Sequence, residues 1–331
     1  MKTSSIINLI GNTPLIKLKH ASEITGCEIY GKAEFMNPGG SIKDRAALAI
    51  IHDAENNNNL KKNGIIVEGT AGNTGIGLTL IANAKGYRSI IVMPETQTQE
   101  KIDTIKSMGA ELRLVPAKPY KDPNNYVKYS ERLAKKIYKE TNGNAIWANQ
   151  FDNRANLMGH YNSTGQEIWK QTEGKIDAFI CSSGTGGTIA GVGKFLKEKN
   201  QKIKIVLSDP KGSALFNFIK FNELKIEGSS ITEGIGSSRI TNNFKEAPID
   251  NAYSIEDNEA MEIIYHLIKN EGLNLGTSSG INIAGAIKLA KEMGPNKLIV
   301  TVLCDQSDRY KSKLFNKKIL TERNIKIPDW L

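Results

Sequence analysis

Three times along this chain a run of aliphatic and β-branched residues ends in a glycine-rich turn, and each turn opens into a helical stretch. The runs are Glu28–Phe35, Ile65–Glu68 and Ala178–Cys181, and the helical stretches that follow are Lys43–Glu55, Thr74–Ala84 and Gly187–Lys199. Ser89–Met93, Ile203–Leu207 and Leu298–Leu303 also read as strands. Gln99–Met108, Tyr126–Lys139, Asn258–Glu271 and Ile281–Met293 read as helices. Strands alternating with helices in this way argue for mostly parallel sheets covered by helices on both faces, an α/β fold. Ile65–Pro94 is one strand–helix–strand unit, whose crossover should be right-handed. The polar tract Asn56–Asn59 reads as the end of the Lys43 helix, Pro116–Asn125 as a loop, and Lys211–Asn251 as a long irregular stretch rich in Gly and Ser. Loops of that length inside compact domains are often functional.

The chain has 331 residues, enough for two compact domains or one large one. No stretch approaches the ~18 apolar residues of a membrane helix. Met1–Leu18 is broken by Gly11, Asn12, Thr13 and Pro14, so no signal peptide is read and a cytoplasmic location is expected. Cys27, Cys181 and Cys304 lie far apart without a CxxC pair, which argues against a zinc cluster and a disulfide framework. His20, His52, His160 and His266 have no metal-like spacing, and no metal is assigned. The net charge of +9 could serve nucleic acid or an anionic small molecule. The basic residues are interspersed with acids, and the densest group, Lys311, Lys313, Lys317 and Lys318, carries no interleaved stacking pattern beyond Phe315. A solvated basic surface is the reading, with neither a nucleic-acid nor a membrane partner.

The turn Ser182-Ser183-Gly184-Thr185-Gly186-Gly187-Thr188 is the sharpest chemical signal. Unpaired N–H groups at a helix start, close backbone approach at glycine and the local dipole make Gly184–Thr188 a phosphate cradle. It lacks the spacing of a dinucleotide fingerprint or a Walker loop. The turn Glu68-Gly69-Thr70-Ala71-Gly72-Asn73-Thr74-Gly75 offers donors suited to a carboxylate. In the third turn, Asn37-Pro38-Gly39-Gly40-Ser41-Ile42-Lys43-Asp44-Arg45, a lysine stands at a helix start. Positive charge is disfavoured there, which favours the neutral amine that attacks a carbonyl and forms a Schiff base.

Taken in order, these three turns closely resemble the cysteine synthase family, the O-acetylserine sulfhydrylases, which are pyridoxal-phosphate (PLP) enzymes of fold type II with a tryptophan-synthase-β-like fold. Cystathionine β-synthases are relatives. The resemblance runs nearly end to end, through Ile10-Gly11-Asn12-Thr13-Pro14-Leu15, Gln150-Phe151-Asp152-Asn153, His160, Thr164-Gly165, Glu167-Ile168-Trp169, Glu233-Gly234-Ile235-Gly236, Ser278-Ser279-Gly280 and Arg309-Tyr310. It implies a smaller domain over residues 40–150 and a larger one from 1–39 plus 151–331, with PLP in the cleft. Lys43 would hold the cofactor covalently and then act as base for the α-proton. Asn73 would meet the ring hydroxyl oxygen. Gly184, Thr185, Gly186, Gly187 and Thr188 would hold the phosphate. The loop Thr70, Ala71, Gly72, Asn73 and Thr74, with Gln150, would grip the substrate carboxylate and close on it. Glu233 and Gly234 would stand at the mouth. Implied partners are an amino-acid substrate, sulfide, a second copy of the chain and, as a candidate, a serine acetyltransferase.

Departures from the family pattern bear on the chemistry. The slot assigned to a serine beside the pyridine nitrogen holds Gln306, with Ser307 next to it; either is expected to serve that nitrogen, rather than Asp305. Ala71 replaces a serine of the substrate loop. Glu233 stands where sulfhydrylases often carry Gln and cystathionine β-synthases carry Glu; a carboxyl there could relay a proton to a serine hydroxyl. The expected reaction is β-replacement, making L-cysteine from O-acetyl-L-serine and sulfide. The rivals are a cystathionine β-synthase-like or sulfide-releasing cysteine lyase activity, and a non-catalytic binding protein of the same fold.

Overall fold

A computed structural model describes residues 3–331; Met1 and Lys2, the start of the segment read above for a signal peptide, lie outside the described residues. Among the described residues, ten strands form two sheets. The strands are β1 (Leu15–Lys17), β2 (Glu28–Ala33), β3 (Ile65–Gly69), β4 (Arg88–Pro94), β5 (Glu111–Val115), β6 (Ala145–Trp147), β7 (Ala178–Cys181), β8 (Lys204–Pro210), β9 (Asn251–Ile255) and β10 (Leu298–Leu303). The six-stranded sheet runs β1-β2-β10-β7-β8-β9, and only β1–β2 is antiparallel. The four-stranded sheet runs β5-β4-β3-β6, all parallel.

The apolar runs follow from this arrangement. Every residue of β3 and of β7 is buried. A parallel strand covered on both faces needs apolar side chains on both, so it loses the alternation of a half-exposed strand. One face of the six-stranded sheet packs on a core with Phe179, Ile189, Val192, Leu196 and Leu207, the other on Ile180, Val206, Ile283 and Leu303. The helix Asn73–Lys85 stops at Gly86, whose φ of 75° supplies the left-handed residue that ends many helices.

Every strand expected from sequence is present, within a few residues at the ends. Four others, β1, β5, β6 and β9, carry too little apolar run to stand out: β1 and β6 are three residues each, and β5 reads Glu-Leu-Arg-Leu-Val. The helix expected from Ile281 begins at Thr277, because Thr277, Ser278 and Ser279, polar enough to read as a turn, are buried in its first turn. Helices Arg154–Asn162 and Thr164–Gln171 were not expected. The irregular stretch Lys211–Asn251 contains two short helices, Leu215–Phe221 and Asn242–Lys245.

A buried ion cluster locks the first glycine turn in place. Arg45 donates through Nε to Glu34 at 2.7 Å and through Nη1 to Glu167 at 2.6 Å, and Lys32 donates to Glu167 at 2.6 Å. Thr13 donates to Glu34 at 2.6 Å, and Asn37 donates to Glu34 at 2.7 Å. Burial alone would raise the Glu34 carboxyl, but Arg45 outweighs it and the pKa falls below the ordinary value. Glu167 shows the same contest: burial raises it, while Arg45 and Lys32 draw it down to about 2.

Removing one partner of a buried ion pair strands the other charge. Glu34→Ala is therefore expected to cost about 3–5 kcal/mol in urea unfolding. Because the native carboxylate pKa values lie below their unfolded values, this cluster's stabilisation is complete above about pH 4.5. It is lost as pH falls from there toward 2, the value of Glu167, and acid titration of unfolding should show it.

Candidate functional site

The turns after β2, β3, β7 and β10 all lie at the carboxyl ends of their strands, where open α/β sheets place their ligands. They enclose two adjoining cavities that share Ile42, Lys43, Gly184, Thr185, Ile235 and Cys304. The larger encloses about 770 Å3, part of it open to solvent.

Lys43 is the first residue of the helix Lys43–Asn56 and is half-buried on the floor common to both cavities. Its backbone N–H donates to Ser41 Oγ at 3.2 Å. The turn before it is pinned from both sides. Ile42 N–H donates to Cys304 O at 3.1 Å, Ser41 pairs with Asp305 in an isolated bridge, and Gly39 N–H donates to Asp44 Oδ2 at 2.6 Å. Arg309 donates to Gly39 O from the far side, which leaves no space for a side chain at Gly40: a Cβ there would lie 2.6 Å from Arg309 Nη2.

The smaller cavity is walled by Cys181–Gly186, Thr188, Asn282 and Cys304. The backbone N–H groups of Gly184, Thr185 and Gly186 donate to no group among the described residues, and they stand at the start of the helix Gly187–Lys199. Ser183 Oγ is buried without a partner. The loop is packed tightly from behind. A Cβ on Gly184 would come to 2.3 Å from Gly234 O, and one on Gly186, at φ 88°, to 2.4 Å from Phe244 N. Orphan donors facing an enclosed space at a helix N-terminus fit a phosphate. His160 holds the rim, with Nδ1 2.9 Å from Thr164 Oγ1 and Nε2 3.2 Å from Thr188 Oγ1. Burial pushes its pKa down to about 3, so it is a neutral, structural histidine.

Thr70, Ala71, Gly72, Asn73 and Thr74 line the larger cavity with Gln150. Thr74 donates to Gln150 Oε1 at 2.5 Å, and Thr70 Oγ1 accepts from Gly72 N–H at 3.0 Å. The N–H groups of Ala71, Asn73 and Thr74 have no partner among the described residues, so backbone donors remain where the serine hydroxyl is missing at Ala71. Asn73 donates to Asp305 Oδ2 at 2.6 Å and accepts from Arg309 at 2.6 Å, which leaves one amide hydrogen for a ligand. Asp305 also accepts from Tyr310 at 2.5 Å.

Glu233 and Gly234 stand in the same wall, with Lys101 opposite. Lys101 is 1% exposed; it donates to Glu233 Oε2 at 2.6 Å and lies 4.2 Å from the centre of the Tyr310 ring. Lys313 donates to Glu233 Oε1. Both carboxylate oxygens therefore accept from ammonium groups, an arrangement in which Glu233 has no proton to relay. Lys101 was not singled out by sequence reasoning; nothing in its spacing on the helix Gln99–Ser107 marks it.

Gln306 is the exception among the residues chosen from sequence. It is exposed and lines neither cavity, because the chain turns outward after Asp305 to pair with Leu275. Ser307 is buried but donates to Asn274. Ser278, 4% exposed at the second residue of the helix Thr277–Met293, does line the larger cavity. Its Ser278-Ser279-Gly280 motif was the available signal.

A family model described as pyridoxal-phosphate dependent enzyme matches residues 6–305. The chain is 49% identical to Cysteine synthase 1 of Neurospora crassa, over 96% of this chain and 84% of that one. Among solved structures, it is similar to an O-acetylserine dependent cystathionine β-synthase from Helicobacter pylori (TM-score 0.86, 31% identity, 95% of this chain and 98% of that one). It is similar also to a hydrogen sulfide-producing enzyme from Fusobacterium nucleatum (TM-score 0.83, 34% identity, 93% and 100%). No helix among the described residues is long and apolar enough to cross a membrane.

Substitutions at Gly184 or Gly186 would distort the loop whatever it binds, so the cradle is better tested at Thr188. Thr188→Val keeps the shape and removes one hydroxyl. PLP affinity should fall about tenfold, equivalent to ~1.4 kcal/mol, in equilibrium dialysis. Ser278→Ala should weaken PLP retention in the same assay, and Gln306→Ala should leave it unchanged.

Proposed function

The chain belongs to the pyridoxal-phosphate-dependent enzymes, and from that premise we propose that it makes L-cysteine from O-acetyl-L-serine and sulfide. The observation that carries this reading is the position of Lys43. It lies between the orphan donors of Gly184–Gly186 and those of Ala71–Thr74, so one amine faces a phosphate site on one side and a carboxylate site on the other. The similarity to Cysteine synthase 1 of Neurospora crassa over most of both chains supports the same reaction.

Each group has a task. The N–H groups of Gly184–Thr188 bind the cofactor phosphate. Lys43 would hold the cofactor through its carbonyl carbon. Ser278 would hold the pyridine nitrogen, and the remaining Asn73 hydrogen the ring hydroxyl oxygen. The cofactor supplies an electron sink for the pair released at the substrate α-carbon. The loop Thr70–Thr74 and Gln150 bind the substrate carboxylate and set its Cα–H toward Lys43. Lys43 Nζ removes that proton, acetate leaves the β-carbon, hydrosulfide bonds to the same carbon, and the proton returns to Cα. Closure of the Thr70–Thr74 loop on the substrate excludes water from these steps.

The serine-using alternative needs a proton donor at the β-oxygen, because hydroxide leaves poorly where acetate leaves well. Glu233, held by Lys101 and Lys313, does not supply one. That favours O-acetylserine. We place the protein in the cytoplasm, from the pattern of Met1–Leu18, as a homodimer with a serine acetyltransferase as a candidate partner, the last two supported by the family resemblance alone.

An activity panel of O-acetylserine, serine, cysteine and homocysteine tests the substrate assignment directly. Turnover of O-acetylserine with sulfide is expected to dominate. Lys43→Ala should abolish both turnover and the visible absorbance of the bound cofactor after dialysis; an enzyme that kept both would refute the role. Glu233→Gln should leave O-acetylserine turnover within about threefold, since the carboxylate takes no part in proton transfer.

A further inference from the structure

The substrate loop and the turn after β4 leave neighbouring parallel strands at the same end, and one side chain joins them. Strand β3 ends at Gly69 and β4 at Pro94, and the Thr70 N–H still donates to Val92 O at 2.9 Å. Beyond Pro94 the chain turns through Glu95–Thr98 into the helix Gln99–Ser107. That segment is held firmly. Gln97 N–H donates to Pro94 O at 3.2 Å, Thr98 Oγ1 donates to Arg309 O at 2.8 Å, and Ser312 N–H donates to Glu100 at 2.8 Å. The side chain of Gln97, half-buried and lining neither cavity, ends between two acceptors, Ala71 O at 2.9 Å and Glu233 Oε2 at 3.2 Å. An amide oxygen would be repelled by both, so the amide nitrogen is assigned there, with one hydrogen for each acceptor.

The contact with Ala71 fixes the peptide unit between Ala71 and Gly72 at both ends. Its carbonyl accepts from Gln97, and its N–H donates to Thr70 Oγ1 at 3.0 Å. A trans peptide unit is planar and points its C=O and N–H in opposite directions, so two such contacts set its orientation. The backbone alone does not. Gly72 has φ 139°, and glycine adopts positive and negative φ about equally, which leaves the unit able to turn over. A turned unit would take the Ala71 carbonyl off Gln97 and bring an oxygen toward the cavity that Ala71, Asn73 and Thr74 line with unpaired N–H groups. An oxygen there repels a carboxylate. The Lys101 stem fills the space behind Gly72, and its ammonium holds the same Glu233 oxygen that Gln97 reaches.

We propose that Gln97 is a positioning residue for the substrate carboxylate: by holding the Ala71 carbonyl, with Glu233 as the anchor of its amide, it keeps the Ala71–Gly72 peptide unit turned so that the loop offers N–H groups and no oxygen to that carboxylate. This rests on the assignment of Thr70–Thr74 as the carboxylate loop. The effect is confined to ligands that carry a carboxylate. Gln97 lines neither cavity, so cofactor binding does not depend on it.

The test titrates the holoenzyme with two amines, followed by the visible absorbance of the bound cofactor. L-Alanine carries the carboxylate but has no leaving group; ethylamine lacks the carboxylate. The parent, Gln97→Met, Gln97→Glu and Thr70→Val are compared. Gln97→Met keeps the length of the side chain and removes the donor. It should raise the Kd of L-alanine and the KM of O-acetylserine about tenfold, the scale of one oriented hydrogen bond. The Kd of ethylamine, the KM of sulfide and the cofactor spectrum should stay as in the parent, with kcat within about threefold. Gln97→Glu, which sets an acceptor against Ala71 O and a second carboxylate beside Glu233, should lose at least as much. An unchanged L-alanine Kd in Gln97→Met, or an equal loss for L-alanine and ethylamine, would overturn the proposal. If Gln97→Met does not fold, the Gln97→Glu titration decides by the same two criteria. Thr70→Val removes the acceptor at the other end of the peptide unit and should reproduce the loss for L-alanine. An unchanged Kd there refutes the carboxylate loop itself, whereas a raised Kd there with normal Gln97 variants refutes only the positioning role.

Discussion

Arg45 lies two residues beyond Lys43, and its guanidinium is the hub around which the first catalytic turn is built. It joins Glu34, at the end of β2, to Glu167, on the helix Thr164–Gln171, and Lys32 completes a balanced set of two cations and two carboxylates. Charges this deeply buried contribute little net stability compared with a well-packed apolar cluster of the same shape. Their geometric demand is strict, because any shift of the turn leaves a charge unpaired. The turn Asn37–Ile42 is held to the strand end on one side and to a neighbouring helix on the other, and Lys43 can leave it in only one direction.

The second constraint crosses the cleft. Arg309 bonds Gly39 O in the first turn and Asn73 in the second, while Asp305 accepts from Asn73 and from Tyr310. The two sheets are thus coupled by side chains that also line or flank the ligand space. This explains why the glycines sit where they do. At Gly40 the obstacle is Arg309; at Gly72, with φ 139°, it is the Lys101 stem, 2.6 Å from where a Cβ would stand. Close approach of these groups replaces side chains with backbone N–H donors, the ligands that phosphate and carboxylate oxygens need.

How much of this could be read in the sequence follows from the range of each interaction. The buried parallel strands β2, β3, β4, β7, β8 and β10 announce themselves because both of their faces are apolar. β6 does not, since three residues between polar neighbours carry no period. The glycine turns and Lys43 are legible because local chemistry dictates them, whereas Gln150 enters only through the family resemblance. Gln306 misled because a slot counted from Arg309 assumes a chain path, and the path turns outward to pair with Leu275. Ser278 and Lys101 depend on contacts made across the fold. The pairings Arg45–Glu167 and Lys101–Glu233 span more than a hundred residues, and no pattern within one segment encodes them.

A site proposed to hold both a phosphate dianion and a carboxylate faces self-repulsion, which free acidic groups of its own would increase. Three carboxyls nevertheless stand around this cleft, and each is quieted by different means. Glu233 is bracketed by two lysines. Asp305 accepts from an amide and a phenol, which orient it away from both cavities. Glu68 is buried so completely that its proton is retained to about pH 8. The first is held by two lysines and the second by an amide and a phenol. The third has no ion-pair partner among the described residues, and burial is the largest influence on it. A cleft lined by neutral backbone donors thus keeps the acidic groups around it either paired or buried.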